Sequence, residues 1–438
     1  MISAILSVAL IAIALGIYRS KDTTASFLLY ATGMCLMHPS FRLYEFGAFY
    51  SHLFLTLIML AKLYKSGNIK KCWSVFPLKR LTVGIFFVYL LQVFIVDWMP
   101  AFKIIIASVR DFSLSYLCVF IGFCCFQDEQ SLYNRTKSIN IFAIIFALIG
   151  IVSYINQSNF ISEAIEGDEL MWSADNALSE RGFRATGTQH SPNIMGLISG
   201  IYILIINHME KNKYIKHIII LLLLVNIICC ATRAPFVTLI LMLLVYYLCF
   251  SMKKIVIALA GGLILVITAN MFLADNEILQ SYIGGVADIF LTGGENTGGS
   301  DMDLRMRQLM TTLGYFSQNP IFGHGNGFVS NLVSESGLFS MLKIDDLAGA
   351  EGYLFFLLID FGISLTFLVL LFLVKLFKIF IHNRRYPLSA LGLSILAGGT
   401  FFILSSRPDN SFECFFPWVG LVLGYITNCK YGANQIDK

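Results

Sequence analysis

Charge is what this sequence has least of. Only 13% of its 438 residues are Asp, Glu, Lys or Arg, against 57% apolar, and the mean hydropathy is +0.74. An ordinary soluble domain carries roughly a quarter charged residues, so a water-covered globular surface is excluded. Alternation is missing as well. Ile218 to Ile228 and Ile363 to Val374 are nearly continuous apolar runs, whereas the strands of a transmembrane barrel alternate polar and apolar residues over about ten positions. Helices are the remaining way to satisfy every backbone polar group in lipid. The chain therefore reads as an all-α polytopic membrane protein, one integral membrane domain over 1–438.

Three further absences narrow the reading. The ten cysteines are almost all in or beside apolar runs, as Cys118, Cys124, Cys125, Cys229, Cys230 and Cys249 are, and none falls in a long polar loop. They show neither a disulfide framework nor metal-ligand spacing and read as small apolar helix residues. The first apolar run, Ile2 to Tyr18, has no basic segment before it and no small-residue cleavage site after it, so it reads as a retained span. The halves 1–219 and 220–438 show no self-similarity, which weighs against a transporter built from repeated halves around a midplane site.

What is present is a succession of apolar runs, near 2–18, 25–37, 47–64, 81–97, 104–126, 138–156, 193–207, 217–231, 235–250, 254–272, 352–380, 388–405 and 414–427. They predict about 12 to 13 transmembrane helices. Most of the 31 basic residues lie in one set of alternate loops, with Arg19, Lys62, Lys79, Arg135, Lys213 and Arg384 among them, beside only Asp22, Asp128, Glu129, Glu210 and Asp437 of the 27 acids. The excess of Lys and Arg makes that side cytoplasmic. Two long loops then face the other side, 157–190 and 274–351. Loops of that length are uncommon unless functional or disordered. Within the second, Met306, Leu309, Met310, Leu313 and Phe316 recur at helix spacing, as in an amphipathic helix lying on the membrane surface.

The candidate site residues are all on that outer side. Arg181, Arg184, His190 and Asn193 lie just before the seventh run, where a Pro192-Asn193 helix start offers backbone donors and a favourable dipole to an anion. Arginine forks suit phosphate oxygens. Solvated arginines before an ordinary helix start are the alternative. Arg233 stands at the tight turn between the eighth and ninth runs, held by a partner or snorkelling to the interface. Arg110-Asp111 falls inside the fifth run, as an ion pair that ties the bundle or as part of the chemistry. Arg305 sits on the surface helix, followed by Gly323-His324-Gly325, where glycines let backbone approach a ligand closely. Asp301-Met-Asp303 has the spacing of a nucleotide-sugar metal site, and equally that of helix-start acids that complement the dipole. The 352–380 run would be about 44 Å long against an apolar core of roughly 30 Å. Its start, Glu351-Gly352-Tyr353, should therefore project outward, with Glu351 placed to accept a proton or simply to open the helix.

Taken in order, Gly187 to Asn193, Thr232-Arg233-Ala-Pro, Arg305-x-x-x-Leu309, Pro320-x-x-Gly323-x-Gly325, and Tyr353-Leu354 to Asp360-x-Gly362 resemble the O-antigen ligase/polymerase superfamily. The motifs cover roughly 180–365; the rest matches by hydropathy alone. The resemblance implies a helical membrane glycosyltransferase fold of the C type in the bacterial inner membrane, with its active site facing the periplasm. It also implies donor and acceptor sugars carried on undecaprenyl pyrophosphate. Ligases of the family show His-Asn just before the Tyr-Leu; here those positions are Ala350 and Glu351. That difference tilts the expectation to an O-antigen polymerase in lipopolysaccharide biosynthesis, an inverting glycosyltransferase with Glu351 as base. Arg184, Arg233 and Arg305 would then form a cage for the pyrophosphate, aided by Arg181, His190, Asn193, Gly323, His324, Gly325 and Tyr353. With an arginine cage no metal or cofactor is required. Partners would be the lipid-linked oligosaccharides and membrane lipids, with no nucleic acid; whether a chain-length regulator also binds stays open. An O-antigen ligase and a lipid-linked oligosaccharide flippase are the alternatives.

Overall fold

The computed structural model describes residues 2–42, 50–96, 99–166, 183–250, 302–329, 352–406 and 411–436. Helices make up almost all of it, and among the described residues the only β pairing is an isolated bridge between Arg42 and Tyr50. In chain order the helices are α1 (Ile2–Arg19), α2 (Thr23–Leu36), α3 (Ser51–Lys65), α4 (Asn68–Val75), α5 (Lys79–Leu91), α6 (Ala101–Leu114), α7 (Tyr116–Cys125), α8 (Glu129–Tyr133), α9 (Thr136–Ile155) and α10 (Phe160–Glu166). There follow α11 (Pro192–Met209), α12 (Lys213–Cys229), α13 (Arg233–Phe250), α14 (Met302–Gln318), α15 (Tyr353–His382), α16 (Pro387–Ser405) and α17 (Phe412–Ile436).

Six of these, α1, α9, α11, α15, α16 and the first 18 residues of α17, are long and apolar enough to cross a membrane; counting each of two bent pairs as one span gives up to eight. This is fewer than the apolar runs suggest, and bending is one reason. The chain turns by 105° between α4 and the helix from Lys79 to Phe94, and by 44° between α6 and α7, while α2 and the Arg233–Cys249 helix are apolar but shorter. The run at 254–272 lies outside the described residues. The chain is thus a polytopic membrane protein, nearly all helical among the described residues. Val8, Phe367 and Val374 are more than half exposed, as expected of side chains facing lipid rather than water.

Between spans there is little hydrophobic drive in lipid, so close approach of small residues does the packing. The pair α7 and α17 depends on this most. A Cβ on Gly122 would lie 2.0 Å from the Pro417 carbonyl oxygen, and one on Gly420 2.1 Å from that of Val119. Around this crossing Trp418 stands edge-on to Phe27 and Tyr202, at 5.3 and 5.9 Å between ring centres.

The loops sort to two ends. At one, Lys62 donates to the Ser20 carbonyl, Arg135 pairs with Asp22 at 3.2 Å, Gln127 donates to Thr23 at 2.9 Å, and Tyr133 meets His208 at 3.3 Å. These are the basic loops of the charge pattern. At the other, Thr188 and Gln189 donate to the Cys35 carbonyl at 2.8 and 2.6 Å, and His52 meets Glu413.

Candidate functional site

The site begins with a break in α15. Gly362 has φ 62° and ψ −157°, outside the helical region and open mainly to glycine. The break removes two helical hydrogen bonds and frees the carbonyls of Ile359 and Asp360 and the amides of Ile363 and Ser364. A loop from Asn319 to Val329 takes up all four groups. His324 and Gly325 donate to the Ile359 and Asp360 carbonyls at 2.9 and 2.8 Å, while Ile363 and Ser364 donate to those of Pro320 and Ile321 at 2.8 and 3.1 Å. Contact is backbone to backbone: a Cβ on Gly323 would lie 2.4 Å from the Asp360 carbonyl carbon. The Asp360 carboxylate then accepts from the amides of Gly327 and Val329, each at 3.1 Å. A broken span at membrane depth is tolerated where other protein restores its backbone bonds, and this loop does so.

Beside the break lies a cavity of about 410 Å³ with a half-polar lining. Four helices present their N-terminal ends to it: α3 through Tyr50 and His52, α7 through Ser115, α15 through Tyr353, and α17 through Phe412 and Glu413. Such ends carry unsatisfied amides and a positive dipole, which favour anions. Arg110 and Asp111 come from the last turn of α6, just before the break at Ser115, and pair at 2.7 Å with roughly a third of each side chain exposed. Asn326 donates to the other Asp111 oxygen at 2.8 Å. The Tyr353 hydroxyl meets that of Tyr116 at 2.9 Å, and Asp360, Tyr89 and Phe361 complete that wall. Aromatic faces, an amide, carboxylates and one guanidinium around a half-open cavity suit a polyhydroxylated ligand with an anionic group.

The structure distributes the sequence candidates unevenly. Tyr353 lines the cavity, and Gly323, His324 and Gly325 build the loop that supports its wall. His324 is engaged in that loop: Nε2 donates to the Tyr315 carbonyl at 2.9 Å and the ring stacks on Phe328 at 4.5 Å. Arg184, His190, Asn193 and Arg233 form a second neighbourhood at the same end, off the cavity lining, where the Ala185 amide donates to the Cys229 carbonyl at 3.0 Å. His190 lies 6.4 Å, ring to ring, from His38, whose following residues Pro39 and Ser40 reach the cavity. Burial, with His190 and His52 adding to it, pushes the His38 pKa down to about 3, and its Nδ1 accepts from the Ser40 amide at 3.3 Å. Arg181, Glu351 and the Arg305 and Asp303 side chains lie outside the described residues, as do residues 167–182 of the first long loop and most of the second.

Sequence reasoning passed over His52 and Glu413 and left Arg110-Asp111 undecided. Their signal was ionisable residues in or directly beside apolar runs, which in a membrane protein point to function. No family model and no curated protein sequence matches this chain.

Proposed function

We propose that the chain is an O-antigen polymerase, a multi-pass glycosyltransferase of the bacterial inner membrane. It joins one undecaprenyl-pyrophosphate-linked oligosaccharide to another at the periplasmic face. The single observation that carries this reading is the cavity at the end opposite the basic loops, walled by Arg110, Tyr353 and four helix N-termini. Two of the five motifs of the family resemblance support it: Pro320-x-x-Gly323-x-Gly325 and the Asp360-x-Gly362 end of the last bond to each other at that wall.

A periplasmic transferase has no nucleotide sugar, so its donor brings its own leaving group, and a lipid pyrophosphate is one. As the anomeric bond breaks, negative charge grows on the pyrophosphate. Preorganised amides and guanidinium groups stabilise that charge at no reorganisation cost. Helix ends and Arg110 serve this at the cavity, and Arg184, Arg233 and Arg305 remain the candidate cage on the lipid's approach. The acceptor hydroxyl is oriented by the tyrosine and amide groups of the wall and attacks from the opposite face, which inverts the anomeric centre.

The test is the purified full chain supplied with undecaprenyl-pyrophosphate-linked repeat units. A ladder of lipid-linked oligomers is expected. Transfer only to lipid A core would make the chain a ligase, and movement of the substrate across vesicles without a new glycosidic bond would make it a flippase.

A further inference from the structure

One ionisable pair on the cavity wall has no part in charge stabilisation. His52, in the first turn of α3, and Glu413, in the first turn of α17, are each 1% exposed and stand 361 positions apart in sequence. The His52 Nε2 faces the Met37 carbonyl oxygen at 2.8 Å. A carbonyl only accepts, so this nitrogen carries hydrogen. The other ring nitrogen, Nδ1, stands 2.5 Å from the Glu413 Oε1. A lone pair and a carboxylate oxygen do not approach so closely unless a proton lies between them, so the pair holds one shared proton. His52 thereby fixes one oxygen of Glu413 and its own ring together. The second oxygen, Oε2, is buried and has no hydrogen-bond partner among the described residues.

That arrangement is wasteful for a purely structural pair. Buried carboxylate oxygens are almost always bonded, and an exception at a cavity wall calls for an explanation. A ligand group that donates a hydrogen bond would complete the site. The cavity beside Glu413 also offers Arg110, Asp111, Asn326 and Tyr353, enough to orient a sugar ring around that bond.

We propose that Glu413, held by His52, receives the proton of the acceptor sugar's hydroxyl during glycosyl transfer, which rests on the polymerase reading above. The acceptor O–H bond breaks and its proton moves to Glu413 Oε2. The freed oxygen pair forms the new bond to the donor's anomeric carbon. The bond from that carbon to the pyrophosphate breaks, and its electrons leave on the pyrophosphate oxygen. His52 is the positioning residue, and Glu413 the catalytic one.

The experiment uses the purified full chain and the same lipid-linked repeat units. A wild-type ladder tests the polymerase reading alone; without one that reading fails, and this proposal with it. Given a ladder, Glu413→Gln is expected to lower turnover by about 10² to 10⁴, the usual worth of a general base, with donor binding and thermal stability kept. Glu413→Asp, which keeps the carboxylate, is expected to recover part of the turnover. Because a lone Gln leaves His52 in a changed setting, the His52→Gln/Glu413→Gln double variant removes both charges together, and it should match the single variant in turnover. Turnover within about threefold of wild type in either stable variant, a factor too small for a lost base, overturns the proposal. So does failure of both variants to reach wild-type stability, which would make the pair structural.

Discussion

Gly362 lies against Ile321 so closely that a Cβ on the glycine would stand 2.7 Å from both the carbon and the oxygen of the Ile321 carbonyl. The broken span and its supporting loop therefore fit only as glycine on one side and bare backbone on the other.

Gly362→Ala meets both that clash and a backbone conformation that L side chains rarely adopt, strain worth about 1–3 kcal/mol or more. The expected result is a lower thermal midpoint in detergent and loss of polymer. Gly314→Ala, on the α14 helix with open space around its Cβ, should leave the midpoint unchanged or raise it slightly. Equal midpoints for wild type and Gly362→Ala would mean that the loop does not hold the break.

Tyr353→Phe removes the hydroxyl that meets Tyr116, whose side chain is fully buried. The orphaned Tyr116 hydroxyl should then cost about 1–3 kcal/mol. Removing both hydroxyls together is nearer neutral, so Tyr116→Phe/Tyr353→Phe should be more stable than Tyr353→Phe alone. A double-mutant cycle by thermal unfolding measures the difference, and strictly additive effects would contradict the pairing.

Arg110→Lys keeps the charge but loses the planar fork that reaches Asp111 through Nε. Since the pair is partly exposed, stability should hardly change. Turnover should fall at least tenfold, by roughly 1.4 kcal/mol of transition-state stabilisation. If Arg233→Lys abolishes polymer while Arg110→Lys leaves it intact, pyrophosphate stabilisation belongs to the second neighbourhood and not to the cavity.

For orientation, single cysteines at Lys71 and Gln157, both exposed, report on the two ends in a background freed of the ten natural cysteines. An impermeant maleimide added to intact spheroplasts should label position 157 and spare position 71. The reverse pattern would turn the molecule over and place the cavity toward the cytoplasm.

Much of this was open to reading in the sequence, for definite reasons. Apolar runs and basic loops reflect lipid and leaflet charge, which act on each stretch locally, so the helices and the sorting of loops to two ends could be anticipated. Gly323 and Gly325 drew notice as a glycine-rich turn in the second long loop, where glycine lets backbone approach closely, and Asp360 and Gly362 through the family motif on the span that follows. Bending was harder to see: nothing local in Leu114-Ser115-Tyr116 announces a change of direction. The pairing of His52 with Glu413 depends on how α3 meets α17 across the bundle, a tertiary fact with no local signature. Arg184 of the first long loop was easy to notice because it is charged; that it stands off the cavity lining goes with the contact between Ala185 and Cys229.

The exchange of hydrogen bonds at Gly362 also bears on biogenesis. Residues 319–329 leave the ribosome before the span that they complete, and until the two meet, Tyr353 to His382 can enter lipid as one unbroken helix with its own bonds intact. A chain inserted on hydropathy alone, before that docking, would still lack the wall of its cavity: the four backbone bonds that hold the break are supplied by the loop, not by the span.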